Sequence, residues 1–593
     1  MNYQTIFFII LFLSISVFPQ TSSKQNEACN AELSQNLIEQ QVVESNTVKE
    51  TNKRIRIYLR SAEFIWKLDE KTARKYFADA LKIADERFAE KGREKKQTSG
   101  QGFGFITYEP DYRLEVIRAI SKKESEWAKK LTEQILAEYE KVIKERGNNL
   151  DSERTIVDLM RIADETVKSN PNLSWYIFRR LMRYPLEYYW YFGLYGVAGE
   201  NRQFADALYT ELLQNYANET PRRLLFLSAY PFARDKIFGV DKFSFGVEVP
   251  DDFTPNLQFQ KQFIQTFLRR INSLAANPEE FNVSAENYNA PQSVYIISVL
   301  LELEPVVLQS FPELISSFNE TKNRANSLIN TESRKDLDER LERSKFYGSS
   351  FQTRLKIAEE AEEKGKLTDK MIIDLIMAAK TDDDYGITQS WLEKIKLETV
   401  RRDSTNYFYF LRAKLAIKEN RFDDTRKYAD KVPELQHRAT LYFELAEKQL
   451  ADETEAAKVF EVLNNVSEIT EKAENSVAKV QTLLGLAKMY ERVNHSIALS
   501  RLSEAVRVIN KLENPDIFST MIYQQIIIPD EFAFYAAYST SGYNLETVFE
   551  QMGKSDFELT LSNARGLDDK YFRTLAIISI LKNCLQKPKK SGK

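Results

Sequence analysis

Across 593 residues the sequence holds only two cysteines, Cys29 and Cys584, and two histidines, His437 and His495. Each scarcity excludes something. Two cysteines cannot build a disulfide framework or a cysteine-rich zinc site. A Ser-His-Asp or Cys-His centre would have to use one of the two histidines. Neither sits in a known catalytic motif, and the chain has no G-x-S-x-G elbow, so both are read as surface or turn residues. Glycine (18) and proline (16) are sparse for this length. Long stretches therefore lack breakers, which favours helix over sheet. An excess of one charge is also missing: 83 basic residues face 87 acidic ones, for a net charge of −4. A nucleic-acid partner would call for a basic face, and none stands out.

What is present is globular material. Hydrophobic residues make up 43% and aromatics 12% of the chain, too much for general disorder. The length exceeds one compact core, so two domains or one elongated array is expected. Residues 6–18 form an almost unbroken apolar run, the length of a secretory core and short for a membrane span. Small polar residues follow at 20–23. The run predicts a secretion signal over residues 1–23, cut near Ser22 or Ser23, with an uncleaved anchor as the alternative. The mature chain is then exported, to periplasm, envelope or medium, with no further span. Asn26-Glu27-Ala28 before Cys29 does not make a lipoprotein signal. Cys29 and Cys584 lie at opposite ends of the chain. A long open array keeps them apart, so two free thiols are expected, although an exported chain could oxidise a pair.

Beyond the signal nearly everything reads as amphipathic helix. Over residues 70–90, Ala73, Tyr76, Phe77, Ala80, Leu81, Ala84 and Phe88 recur at three- and four-residue steps, one apolar stripe of a helix. Asp69 is its expected N-cap and Gly92 its C′ residue. A preceding helix over 53–68 completes a hairpin. A small residue, then an aromatic or Leu four on, then a small or apolar residue three further recurs in four places. These are Ala73/Phe77/Ala80, Ala205/Tyr209/Leu212, Ala456/Phe460/Leu463 and Ala498/Leu502/Ala505. Repeating hairpins of this size predict a solenoid, each unit burying its face on the next.

These residues resemble the tetratricopeptide repeat family, which places a small residue twelve before the Ala. Gly193 stands there for Ala205, and Ser61 for Ala73. Leu484-Gly485 is one residue out of phase, and Glu444 does not fit. The resemblance covers about a third of the chain. The hairpins also look like those of uncharacterised secreted bacterial helical proteins. What the resemblance implies is a fold: all-α, a helical-hairpin α-solenoid.

One irregular insertion, rich in aromatics, proline and glycine, interrupts it at residues 217–258. Within it KFSFGVEVP (242–250) alternates as a short strand would. QTSGQGFGF (97–105) is read as a plain loop: no strand is expected before it, and the Lys-Ser/Thr of a phosphate loop is absent. YGSS (347–350) marks a further break. The expected order is a partly helical or disordered segment at 24–50, an array at 51–216, the insertion, a helical stretch at 259–346, a second array at 351–584 and a disordered basic tail at 585–593. Asp382-Asp383-Asp384 fails the calcium-loop spacing, since Gly386 is fifth rather than sixth, and reads as a cap on the next helix. No cofactor and no metal ligand set is expected.

YPLEYYWYFGLYG (184–196) packs seven aromatics into thirteen residues. Read as a helix from Pro185 to about Gly199, it puts Tyr184, Tyr188, Tyr191, Phe192 and Tyr195 on one face, leaving Tyr189 and Trp190 on others. Tyr189, Trp190, Tyr230, Phe232, Phe243 and Phe245 are therefore the candidate partner-binding surface. The leading expectation is a non-catalytic exported scaffold that holds a protein or peptide partner. Alternatives are an exported glycan-binding protein using an aromatic surface, as in starch-utilisation lipoproteins with tetratricopeptide-like helices, and a polysaccharide-cleaving enzyme using two carboxylates.

Overall fold

The computed structural model describes residues 29–92, 95–98, 105–108, 110–146, 150–239, 249–250, 252–284, 290–347, 349–451, 458–519, 521–529, 532–540 and 543–585. The expected signal, the alternating stretch at 242–248, Phe243 and Phe245 included, and residues 586–593 lie outside them. The chain forms two compact units. A terminal unit combines Met1–Ala80 with Glu398–Lys593, and a central unit spans Leu81–Leu397. Neither boundary falls in the irregular insertion or at YGSS.

In chain order the elements are α1 (Ala31–Ser45), α2 (Thr51–Ile65), α3 (Glu70–Lys91), β1 (Lys95–Thr98), β2 (Phe105–Tyr108), α4 (Tyr112–Ser121), α5 (Ser125–Arg146), α6 (Leu150–Glu165), α7 (Pro171–Leu181), α8 (Tyr189–Glu200) and α9 (Arg202–Asn215). A short α10 (Pro221–Leu224), α11 (Leu257–Leu274), a short α12 (Pro278–Phe281), α13 (Gln292–Ser310), α14 (Ile315–Leu328), α15 (Thr331–Tyr347), α16 (Phe351–Glu363), α17 (Asp369–Ala378) and α18 (Asp382–Leu392) complete the central unit. The chain returns to the terminal unit with α19 (Glu398–Lys418), α20 (Phe422–Ala429), α21 (Leu435–Ala451), α22 (Val459–Lys472), α23 (Val477–Tyr490), α24 (His495–Ile509), β3 (Met521–Ile528), β4 (Phe532–Ser539), α25 (Leu545–Ser555), α26 (Phe557–Arg565) and α27 (Lys570–Leu581).

The packing is a two-layer ladder. In the terminal unit α19 packs on α20 and α21, α21 on α22 and α23, α23 on α24 and α25, and α25 on α26 and α27. Each first helix thus meets its own second helix and the next first helix, the contact pattern of stacked hairpins. The central unit repeats it, with α4 on α5 and α6, α6 on α7 and α8, and α8 on α9. The fold is an all-α array of helical hairpins. The aromatic insertion does not leave it. Leu224, Leu225, Phe226, Leu227, Tyr230, Ile237 and Phe238 are all buried, and this stretch packs against α8, α11 and α13. Among the described residues one helix, α13, is long and apolar enough to cross a membrane by length and composition, and 56% of its apolar window is buried in the fold.

The repeated residues have a physical task. Ala205, Tyr209 and Leu212 are fully buried, as are Ala73, Phe77, Ala80, Ala498, Leu502 and Ala505. The remaining triad departs: Phe460 is 38% exposed, and Ala456 lies outside the described residues. Small residues on first helices set how closely those helices approach. A Cβ on Gly193 of α8 would come within 2.9 Å of Met160 Sδ on α6, and one on Gly485 of α23 would overlap the Phe443 ring of α21.

Several expectations need correcting. The aromatic helix starts at Tyr189 rather than Pro185, and it ends at Asn201, whose side chain accepts from Phe204 N to cap α9. Asn201 both terminates one helix and starts the next, so Gly199 stays inside α8 and is not its C′ residue. The QTSGQGFGF loop does follow a strand: Lys95–Thr98 pairs antiparallel with Phe105–Tyr108. A second, longer pair, β3 with β4, stands in a region read as helix. The cysteines are not free. Cys29 and Cys584 form a disulfide with Cα atoms 5.0 Å apart, across 555 residues of sequence. The reason is topological. The terminal unit draws on both chain ends, so α27 packs against α1 and α2.

The close-approach glycines predict a contrast. Gly485→Ala should destabilise the protein by about 1–3 kcal/mol through overpacking. Gly386→Ala in α18, where an added Cβ meets nothing within 4 Å, should stabilise it by about 0.5–1 kcal/mol. Urea unfolding of the two variants checks the signs. Cys584→Ser should lose roughly 2–4 kcal/mol, and limited proteolysis should show α1 and α27 released before the other helices.

Candidate functional site

The structure places the candidate surface mostly inside. Tyr189, Trp190 and Tyr230 are 3%, 0% and 1% exposed, and Phe232 is half-buried. Tyr230 stacks on Tyr209 at 5.1 Å, meets Phe253 at 4.9 Å and donates a hydrogen bond to Asp206 at 2.7 Å. Trp190 lies between Phe178 and Tyr216, at 5.9 and 6.4 Å. These rings are core because three neighbours converge on α8: α6, α9 and the folded insertion. A single amphipathic stripe cannot serve three neighbours, so most of the helix circumference turns apolar. They do not form a platform.

Rings do stand free elsewhere. The β3–β4 hairpin pairs in register from Met521↔Ser539 to Ile528↔Phe532. Strand alternation gives it two faces. Ile522, Gln524, Ile526 and Ile528 point inward and are buried, whereas Tyr523 and Tyr535 point outward, 63% and 52% exposed. The inward face lies across the first helices of the terminal array. Phe534 meets Tyr407 of α19 at 5.0 Å, and Tyr538 meets Phe410 of the same helix at 4.6 Å. The flanking segments extend the crossing. The Gln481 side chain of α23 donates to Ser519 O at 2.8 Å, Tyr543 meets Phe443 of α21 at 4.9 Å, and Phe518 lies 5.5 Å from both Tyr571 and Phe572 of α27. Four first helices are therefore spanned by one connection between α24 and α25. Here the first-helix face is occupied by the chain itself, and what it offers outward is the hairpin.

The contact is apolar with polar inclusions. Gln436, Thr440, Gln481, Thr482, Ser519 and Thr540 line a cavity of about 10 Å³, room for one water. His437 of α21, expected at the surface, is buried beneath the hairpin with Phe410 edge-on at 5.7 Å. Its ring nitrogens lack well-formed hydrogen bonds. Burial holds its pKa below the ordinary histidine value, partly opposed by the Tyr523 backbone. His495 is the first residue of α24 and pairs with Glu491 at 2.8 Å.

Other titratable groups have structural explanations. Asp384 belongs to a capping box with Thr381 at the start of α18. Burial, then Glu200 and Glu165, push Asp164 up to about 6; its carboxylate sits where a Cβ on Gly196 would be. Among the described residues no group of His, Cys, Asp and Glu could hold a metal ion. The hairpin was missed in sequence, but it left a signal. MIYQQIIIP and FAFYAAYS are rich in β-branched and aromatic residues, carry no charge and flank a Pro-Asp pair, which is strand chemistry rather than helix.

The neutral His437 predicts a pH effect. With its folded pKa depressed, the unfolded chain takes up a proton first as pH falls through about 6.5. Its contribution to stability is full above that value and is lost progressively below it. Melting curves from pH 7.5 to 5 should show a shallower fall for His437→Phe than for the native protein; parallel curves would refute the assignment.

No family model and no curated protein matches this sequence. Among solved structures, one described as a "Circular tandem repeat protein with novel repeat topology and enhanced subunit contact surfaces" is similar at 11% identity, over 93% of this chain and 95% of that one, with a TM-score of 0.15. A score that low carries no weight for the fold, which rests on the helix packing above.

Proposed function

We propose that the protein is an exported, non-catalytic scaffold of tetratricopeptide-like hairpins that holds a protein partner in the cell envelope. The observation that carries the reading is the ladder itself. Stacked hairpins give a broad surface whose shape is set before any partner arrives, and preorganised surfaces lose little entropy on binding. The Cys29–Cys584 disulfide supports export, because such bonds persist in oxidising compartments. Close approach at Gly193 and Gly485 supports the tetratricopeptide likeness, since that family wants small residues on its first helices.

Crosslinking in intact cells, followed by mass spectrometry, tests the proposal. It should recover the same protein partner from the envelope fraction in replicate, with Cys29 and Cys584 resistant to alkylation before reduction. Cytoplasmic recovery with both thiols alkylated, or purified protein that cleaves a polysaccharide, would sink it.

A further inference from the structure

We infer a second, separate binding function: the outward face of the β3–β4 hairpin takes an uncharged glycan chain. The face consists of Tyr523, Gln525 and Ile527 on β3 and Ala533, Tyr535, Ala537 and Ser539 on β4. Register places Tyr523 opposite Ala537 and Gln525 opposite Tyr535. The two tyrosines are therefore diagonal neighbours on one surface, with an amide and small side chains beside them. The alanines leave the flanks of both rings uncovered. Among the described residues these are the two most exposed aromatic rings; Tyr188 and Phe460 follow at 38% each.

Charge narrows the occupant. The whole chain is 29% Asp, Glu, Lys and Arg, yet neither MIYQQIII nor FAFYAAYS contains one. Exposed hairpins ordinarily carry charges against self-association, so a neutral, aromatic face implies something that covers it. An acidic or basic partner finds no complement there. Size narrows it further. Eight residues per strand make a strip about 27 Å long and about 10 Å wide, roughly 270 Å², far below the approximately 800 Å² per partner of a stable protein interface. An extended peptide would pair along a strand edge through its backbone, not lie across rings. A sugar chain fits what is offered. Its apolar ring faces stack on tyrosine, its hydroxyls meet the Gln525 amide and the tyrosine hydroxyls, and it needs no charge. The array beneath holds the rings in place through Tyr407, Phe410 and the buried isoleucines, so the platform is rigid before binding.

Affinity electrophoresis of the full chain tests this. The gels would contain starch, glucomannan, xylan, mixed-linkage β-glucan or, as a charged control, alginate. Retardation is expected in at least one neutral gel, lost in Tyr523→Ala/Tyr535→Ala and kept in Tyr523→Phe/Tyr535→Phe, which preserves the rings. Tyr188→Ala should behave as the native chain, and circular dichroism should show each variant folded. Three results would overturn the inference: no retardation in any neutral gel, retardation unchanged in the double alanine variant, or retardation in alginate alone. Light scattering adds a fourth, a concentration-dependent dimer abolished by the double alanine change, which would make a second copy the occupant. None of these outcomes bears on partner crosslinking.

Discussion

The docking of α27 against α1 and α2 is the contact on which the terminal unit depends. It joins the two ends of the chain into one continuous run of helices, so that the hairpin ladder begun at α19 continues through α27 into the N-terminal helices. Apolar burial supplies most of it: Ile38, Val42, Ile55, Leu575, Ile578 and Leu581 are all buried. Polar contacts fix the register. Lys53 pairs with Asp569 at 2.7 Å, Arg573 with Glu44 at 3.2 Å, and Thr574 donates to Gln41 at 3.2 Å. Partly exposed pairs of this kind add little energy each, but they select one alignment among several that apolar surfaces alone would tolerate. The disulfide then holds the ends where packing has already put them.

A solenoid ordinarily has two ends that need capping, because a terminal repeat leaves an apolar face uncovered. Here α27, the last helix in sequence, is not at an end of its ladder, because α1 and α2 pack against it. Where a typical array would place polar residues on its last helix, α27 is almost wholly buried, from Tyr571 to Leu581. That composition would be a liability on the outermost helix of an array and is a requirement on one with neighbours on both sides.

The β3–β4 connection uses the same economy of surface. The first-helix face of stacked hairpins is apolar in part and has to be covered or occupied. The chain lays its own connection across it, buries three isoleucines there and turns two tyrosines outward. A buried neutral histidine and a polar cavity of about 10 Å³ remain at the joint. Such inclusions lower stability compared with a fully apolar contact, yet they favour one seating of the hairpin over a slipped register, which would turn Tyr523 inward.

Much of the local structure was legible in the sequence. Sparse glycine and proline with periods of three and four set the all-α class. The Ala-aromatic-small triads located buried stripes, Asp69 and Gly92 framed α3, and the small residue at 193 marked a real close approach. These are local properties, and local spacing determines which side of a helix is apolar. Spacing does not say how many neighbours a helix meets. Tyr189 and Trp190 looked surplus to one hairpin, and only the convergence of α6, α9 and the insertion on α8 made them core. Nor could spacing pair Cys29 with Cys584, since pairing across 555 residues depends on where the array brings its ends. The hairpin was written in the uncharged, β-branched and aromatic composition of its two strands, but which of its faces meets water was decided by the helices beneath it. The sequence determined the elements and their apolar sides; the tertiary structure alone decided which aromatic rings were left exposed, because exposure is a property of what packs nearby rather than of the residue.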